Sequence, residues 1–212
     1  MDRIRIALAK GRLAEDAVKL LKKAGYRVPH EILSSRKLIF NIEDEQVELV
    51  LVKPADVPIY VEYGAADLGI VGRDILLEEG RSLYEVLDLK FGQCKFVLAG
   101  LPGFREKQLT HRRVATKYPR FAKEYFRKKG EPVEVIELTG SIELAPLTGL
   151  ADWIVDIMQT GRTLKENGLM VYEDICPVSA RLVVNRVSMK TRRKEINKLI
   201  ERLKSQVERS EN

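Results

Sequence analysis

Residues 133–156 read VEVIELTGSIELAPLTGLADWIVD: a strand pattern, a polar turn, a short helical run, a Gly-x-Ala-Asp elbow and a second apolar strand. Residues 47–72, VELVLVKPADVPIYVEYGAADLGIVG, carry the same series. The elbows end at Asp67 and Asp152, 85 residues apart. After each comes a turn containing an arginine that leads into a helix closed by glycine, GRDILLEEG at 72–80 and TGRTLKENG at 160–168. The duplication extends upstream. Residues 3–13, RIRIALAKGRL, form a strand ending in Lys10-Gly11-Arg12. An amphipathic helix follows, with Leu13, Ala17, Leu20 and Leu21 on one face and Gly25 as its stop. Residues 112–130, RRVATKYPRFAKEYFRKKG, repeat the plan, with Lys117 where strand gives way to helix and Gly130 as the stop.

Alternating strands and helices predict parallel α/β layers, and their duplication predicts two similar lobes. In open sheets of this kind the ligand crevice lies beyond the carboxyl ends of the strands. The lysines, arginines and turns fall at those ends, so two facing crevices would enclose a cleft rich in cations. Residues 87–103 (LDLKFGQCKFVLAGLPG) read as a long strand leaving the first lobe, and residues 174–187 (DICPVSARLVVNRV) as the strand returning. The expected division is 1–100 with 178–212 for the first lobe, which takes the C-terminal helix, and 101–177 for the second.

Composition removes several function classes. The chain has 212 residues, 45% hydrophobic and 32% charged, enough for substantial cores. It has no run of about 18 apolar residues to span a membrane, and its start, MDRIRIALAKGRL, lacks the apolar centre of a secretory signal. A cytoplasmic location is expected. Two cysteines, Cys94 and Cys176, lie in apolar surroundings and read as reduced, buried residues. Two scattered histidines, His30 and His111, are too few for a zinc site and read as loop residues. The net charge of +6 is concentrated at the end: residues 190–212 hold eight Lys or Arg and four Asp or Glu, net +4, leaving +2 for the rest. Ile196, Leu199, Ile200, Leu203 and Val207 recur there at helical spacing, so an amphipathic helix packed on the body is favoured over nucleic-acid binding. No aromatic residue interleaves those charges to stack on bases.

The turn at residues 160–163, Thr-Gly-Arg-Thr, carries most of the chemistry. Gly161 allows close backbone approach to a ligand, amides at a helix N-terminus point at an anion, and Thr160 and Thr163 add hydroxyls. The same residues also suit a plain capped turn. Upstream, Asp152 and Asp156 suit ribose hydroxyls or Mg²⁺ better than phosphate, or else an elbow cap and an ion pair.

Residues IALAKGRL, GAADLGIVGRDIL, VATKYP, GSIELAPLTGLADWIVDIMQTGRTLKENGL and SARLVVNR resemble, in order and over essentially the whole chain, the ATP phosphoribosyltransferase family, which opens histidine biosynthesis. The resemblance implies a two-lobed fold of the type II periplasmic-binding-protein kind. It also implies a Mg²⁺-dependent reaction in which adenine N1 of ATP attacks the anomeric carbon of phosphoribosyl pyrophosphate, giving phosphoribosyl-ATP and pyrophosphate. By position, Thr160, Gly161, Arg162 and Thr163 fall on the family's loop for phosphoribosyl pyrophosphate, with Asp156, Asp152 and Glu143 for the ribose hydroxyls or metal. Lys10, Gly11, Arg12 and Arg73 fall on the ATP positions. Tyr118 either stacks on a base or packs. Arg36, Lys53 and Lys117 either compensate pyrophosphate or triphosphate charge or are solvated surface cations.

The chain resembles the family's short form, which lacks a C-terminal regulatory domain. That implies a homodimer joined by a regulatory subunit resembling histidyl-tRNA synthetase in a hetero-oligomer. Two other readings compete: a two-lobed binding module without chemistry, and nucleic-acid binding through the tail.

Overall fold

The computed structural model describes residues 3–42, 46–103 and 112–211; His111 lies outside them. The chain forms two compact units, one of Met1–Gly92 with Ser179–Asn212 and one of Gln93–Val178.

In the first unit, β1 (Ile4–Ala9) runs into α1 (Arg12–Lys23), followed by β2 (Ile39–Ile42), β3 (Val47–Val52), α2 (Val57–Glu62), β4 (Leu68–Gly72), α3 (Arg73–Glu79) and β5 (Tyr84–Asp88). The second unit holds β6 (Cys94–Gly100), β7 (Arg112–Thr116), α4 (Pro119–Lys129), β8 (Val133–Glu137), α5 (Leu144–Leu147), β9 (Trp153–Met158), α6 (Arg162–Glu166) and β10 (Met170–Val178). The chain then returns to the first unit as β11 (Ala180–Val184), α7 (Ser188–Thr191) and α8 (Arg193–Glu211).

The strand order is β2-β3-β1-β4-β11-β5 in the first sheet and β10-β6-β9-β7-β8 in the second. Setting β2 aside, the two sheets share one plan. A parallel trio, β3-β1-β4 or β8-β7-β9, is extended by two strands, and the first of these, β11 or β6, runs antiparallel to the trio. The parallel layers expected from the sequence are therefore the centres of mixed sheets. The antiparallel strand in each unit is the one that has just crossed from the other. Each long strand expected at a crossing is two: β5 and β6 are separated at residues 89–93, β10 and β11 at Ser179. The first crossing thus comes earlier than Gly100, because residues 94–100 bond to β9 and β10 and belong wholly to the second sheet.

Both elbows close in the same way. Arg5 N donates to Asp67 Oδ2 (2.9 Å) and Asp67 N donates to Arg5 O (2.8 Å). Arg113 N donates to Asp152 Oδ2 (2.8 Å) and Asp152 N to Arg113 O (2.9 Å). Each aspartate thereby sets the start of β4 or β9 beside the start of β1 or β7. Asp67 also takes Arg192 Nη1 at 2.9 Å, which ties the segment entering α8 to the first elbow.

Ile6, Leu8, Leu49 and Ile70 face α1 and α8 in the first unit's main core, where Ile196, Leu199, Leu203 and Val207 of α8 are buried. The C-terminal helix packs on the body, as its spacing predicts. On the opposite face α2 lies close to β4: a Cβ placed on Gly69 would meet Val57 Cγ1 at 2.7 Å, Val61 Cγ2 at 2.8 Å and Val183 Cγ2 at 3.2 Å. In the second unit Phe96 stacks on Phe121 with centroids 3.9 Å apart, and Phe126 packs against Trp153. Cys94 and Cys176 form no disulfide and lie on the paired strands β6 and β10, half-buried rather than buried, because β10 is the edge strand of its sheet.

Gly69→Ala is expected to destabilise the chain by about 1–3 kcal/mol, since Val57 and Val61 are fully buried and have no room to give. Urea unfolding of wild type and variant measures it.

Candidate active site

Cations gather at the carboxyl ends of the parallel strands in the first unit. After β1, Lys10 N donates to Val52 O of β3 (2.9 Å), and Gly11 turns the chain at φ 98°, ψ −154°, a conformation open essentially to glycine alone. Lys10, Gly11 and Arg12 are exposed there, as is Lys53 just past β3. Leu51 N donates to Leu38 O and Ile39 pairs with Val50, so the exposed Arg36 enters from the same end. Arg73 opens α3 directly after β4. These candidate residues of the first unit therefore share one rim of its sheet.

Arg73 is not a free surface charge. Its amide donates to Ser179 O (3.0 Å) and its Nε lies 3.7 Å from Glu85 Oε1. Arg181 meets the same Glu85 oxygen at 3.3 Å and reaches Asp88 Oδ2 at 3.1 Å. Asp88 Oδ1 accepts from Ser179 Oγ (2.8 Å) and Lys90 N (3.0 Å). Burial pushes the Asp88 carboxyl up, but the Lys90 amide, the Ser179 hydroxyl and Arg181 together hold it below its ordinary value. Sequence reasoning left Glu85, Asp88, Ser179 and Arg181 without roles. Ser179 and Arg181 open the motif SARLVVNR, the one local sign of them.

In the second unit, the corresponding rim carries the glycine turn. β9 ends at Met158, Gly161 adopts φ 74°, ψ 5° as the residue before α6, and Leu164 anchors the helix in the core. Thr160 and Thr163 are exposed, and the first amides of any helix lack intrahelical partners. Arg162 projects outward to Glu166, 2.7 Å away in an exposed pair of little energetic weight. Asp156 is half-buried near the end of β9, its Oδ1 accepting the Ile157 amide at 2.8 Å. Glu143, half-buried, precedes α5 beyond the end of β8. Lys117 is exposed at the end of β7, where buried Thr116 Oγ1 bonds Val155 O (2.6 Å) and accepts the Tyr118 amide (2.9 Å).

Two candidates fall elsewhere. Asp152 sits at the amino end of β9, opposite the glycine turn, 8% exposed, with one carboxylate oxygen engaged by the Arg113 amide. It is the structural twin of Asp67, and the elbow-cap alternative accounts for it. Tyr118 is 3% exposed and its ring meets Phe96 edge-on at 4.9 Å, so packing accounts for Tyr118.

The turn that follows β4 differs from the one that follows β9. A Cβ placed on Gly72 would collide with the Asp74 carboxylate, so the start of α3 already holds an anion of its own, and Thr163 stands where the second repeat has no such carboxylate. Of the two repeated turns, only that at Gly161 lacks a resident acid in its first helical turn.

A chain built from two α/β units of one strand plan has the fold of solute-binding proteins. The substrate binding protein of an amino acid ABC transporter aligns with 98% of this chain and 94% of its own at a TM-score of 0.58, with 13% identity, a likeness of fold alone. The ATP phosphoribosyltransferase family profile matches residues 53–205. ATP phosphoribosyltransferase of Caldanaerobacter subterraneus subsp. tengcongensis is 56% identical over 206 residues, covering 96% of this chain and 97% of that protein. Its Clostridium botulinum (Type A) counterpart is 55% identical over 204 residues, covering 95% and 96%. A chain of the ATP phosphoribosyl transferase (HisG:HisZ) complex from Thermotoga maritima aligns over 97% of this chain and 99% of its own, with 37% identity and a TM-score of 0.84. The chain belongs to the ATP phosphoribosyltransferase family, pentosyltransferases of the first step of histidine biosynthesis.

Asp152→Ala is expected to cost about 1–3 kcal/mol of stability by leaving the Arg113 amide unpaired, while calorimetry finds the affinity of the folded protein for phosphoribosyl pyrophosphate within about twofold of wild type. The Asp88 carboxyl, held low in the folded state, contributes stability at pH values above its ordinary value of 3.8 and loses it as pH falls through its folded value. The stability gap between wild type and Asp88→Asn should therefore be constant near neutrality and close in strong acid, as followed by denaturant unfolding across pH.

Proposed function

We propose that the chain transfers the phosphoribosyl group of phosphoribosyl pyrophosphate to adenine N1 of ATP, with the phosphoribosyl group held by the second unit and ATP by the first. The observation that carries the assignment is the turn at Gly161. It lies at the carboxyl end of β9, at positive φ, with two exposed threonines and no acidic residue in the helical turn that follows. The amides of Thr163 and Leu164 and the two hydroxyls bind the ribose phosphate; Arg162 adds its charge on leaving Glu166. Asp156, with Glu143 nearer β8, orients the ribose hydroxyls. Lys10, Gly11, Arg12 and Arg73 hold ATP, and Arg36, Lys53 and Lys117 offset triphosphate and pyrophosphate charge.

The reaction asks for charge compensation above all. Two polyanions must be held together, and pyrophosphate departs as the sugar carbon gains positive character. The attacking ring nitrogen already carries a lone pair, so no strong general base is required of the protein.

Mg²⁺ fits this residue set as an ion carried by its substrates. Among the described residues no three His, Cys, Asp or Glu side chains cluster to hold a metal, whereas Asp156 alone can supplement phosphate and water ligands. When bound, the ion neutralises the departing pyrophosphate. Asp156 would then serve the ribose and supplement the ion's phosphate and water ligands.

The relative in Thermotoga maritima is a HisG:HisZ complex, and this chain covers 99% of that chain's length in the alignment. That likeness supports a hetero-oligomer with a regulatory subunit; our reading further makes the chain a homodimer within it, the regulatory subunit a relative of histidyl-tRNA synthetase, and the assembly cytoplasmic. No helix of the described residues is long and apolar enough to cross a membrane.

Pyrophosphate release from ATP, phosphoribosyl pyrophosphate and Mg²⁺, measured with and without the regulatory subunit, tests the reading. Release should require both substrates and rise with the subunit. Gly161→Ala, strained at φ 74°, and Thr163→Ala should each weaken phosphoribosyl pyrophosphate binding by about tenfold. Wild-type affinity in both by calorimetry would remove the phosphate assignment.

A further inference from the structure

The chain crosses between its units at Gly92–Gln93 and Val178–Ser179, and the residues on the first-unit side of these crossings are fastened to one another. Leu89 N donates to Ala180 O, and Ala180 N donates to Phe91 O, both at 2.9 Å. Asp88 adds a side-chain clasp over the same pair: one oxygen accepts from Lys90 N in the outgoing segment and from Ser179 Oγ in the returning one. Lys90 at φ 62° is one of two residues other than glycine at positive φ among the described residues, and Gly92 follows at φ 61°. A left-handed lysine is strained and persists only where its surroundings hold it; here its amide is held by Asp88.

The clasp continues into the candidate ATP residues. Asp88 holds Arg181 at 3.1 Å, Arg181 shares Glu85 with Arg73, and Ser179 O accepts the Arg73 amide. Arg73 Nε and Arg181 Nε are both buried with no hydrogen-bond partner. Leu13, in the first turn of α1, lies where a side chain on Gly92 would be, and a Cβ on Gly72 would lie in ordinary contact with it at 3.7 Å. Both ATP-bearing turns thus rest against the crossings.

From this connectivity we infer that Asp88 is a positioning residue for the transferase reaction: through Ser179, Lys90 and Arg181 it fixes the two crossing segments and joins them to Arg73. Arg73 is held within this network through Glu85 and the Ser179 carbonyl, and small misplacements of a substrate-holding group are costly in rate. The inference rests on the proposed assignment of ATP to Arg73 for its link to the substrate, but not for the clasp itself.

The test uses the full chain with its regulatory subunit. In Asp88→Asn, hydrogen exchange at the Lys90 and Ala180 amides should quicken by about tenfold, the equivalent of one charge-assisted hydrogen bond. kcat should fall by about tenfold, with both KM values within about twofold of wild type, a split that general loosening would not produce. Ser179→Ala, which leaves every charge in place, should move both readouts in the same direction by less. Glu85→Gln should raise the KM for ATP alone. Wild-type kcat in Asp88→Asn despite faster exchange would make the clasp merely structural and overturn the inference, as would unchanged exchange. An Arg73→Ala variant with wild-type ATP affinity would instead remove Arg73 from the ATP site, and lowered kcat in Asp88→Asn would still support the clasp.

Discussion

Each unit depends on one reciprocal pair of hydrogen bonds in which an aspartate at an elbow exchanges backbone and side-chain contacts with an arginine backbone one strand away. Asp67 with Arg5 and Asp152 with Arg113 do this at nearly equal distances. The bonds fix where β4 starts relative to β1, and β9 relative to β7. That in turn sets where these parallel strands end and which residues reach their carboxyl rims. A buried carboxylate is tolerable here because it accepts amides that would otherwise lack a partner at the strand starts. In the first unit Arg192 adds a full charge, so the same elbow also fixes the approach to α8.

With both elbows set, the two rims diverge in chemistry. The first unit collects Lys10, Arg12, Arg36, Lys53 and Arg73 around a glycine turn and keeps its α3 start occupied by Asp74. The second unit has fewer cations at its rim but leaves the α6 start without an acid, beside Asp156. In the proposed assignment this division suits two anionic substrates of different shape: a triphosphate met by distributed side-chain charge, and a single ribose phosphate met by a compact turn of amides and hydroxyls. The scaffold occurs twice, with Asp74 in the first copy where Thr163 stands in the second, and in the proposed assignment this difference separates the roles.

The antiparallel strands β11 and β6 give the fold its second organising feature. Because each unit receives the strand that has just left the other, the crossings are embedded at sheet ends, where the Asp88 clasp can hold them. Arg181, one residue into β11, is therefore placed to pair with β5 and with the end of β4 at once.

The sequence by itself determined the duplicated α/β plan, the strand ends at Lys10, Lys53, Lys117 and Gly161 and the buried stripe of α8, which rest on periodicity, turn residues and spacing along the chain; the family was legible only through the resemblance of its motifs. Tertiary structure alone decided that Asp152 faces away from the glycine turn while Asp156 stays near it, that Tyr118 is sealed against Phe96, and that the first crossing comes at Gly92. It also brought Asp88, Ser179 and Arg181 together across some 90 residues of sequence. The reason is physical. A strand pattern gives a side chain's alternation but not which end of the sheet its neighbours occupy, and a carboxylate's role is set by the amides and guanidiniums that strand pairing carries to it.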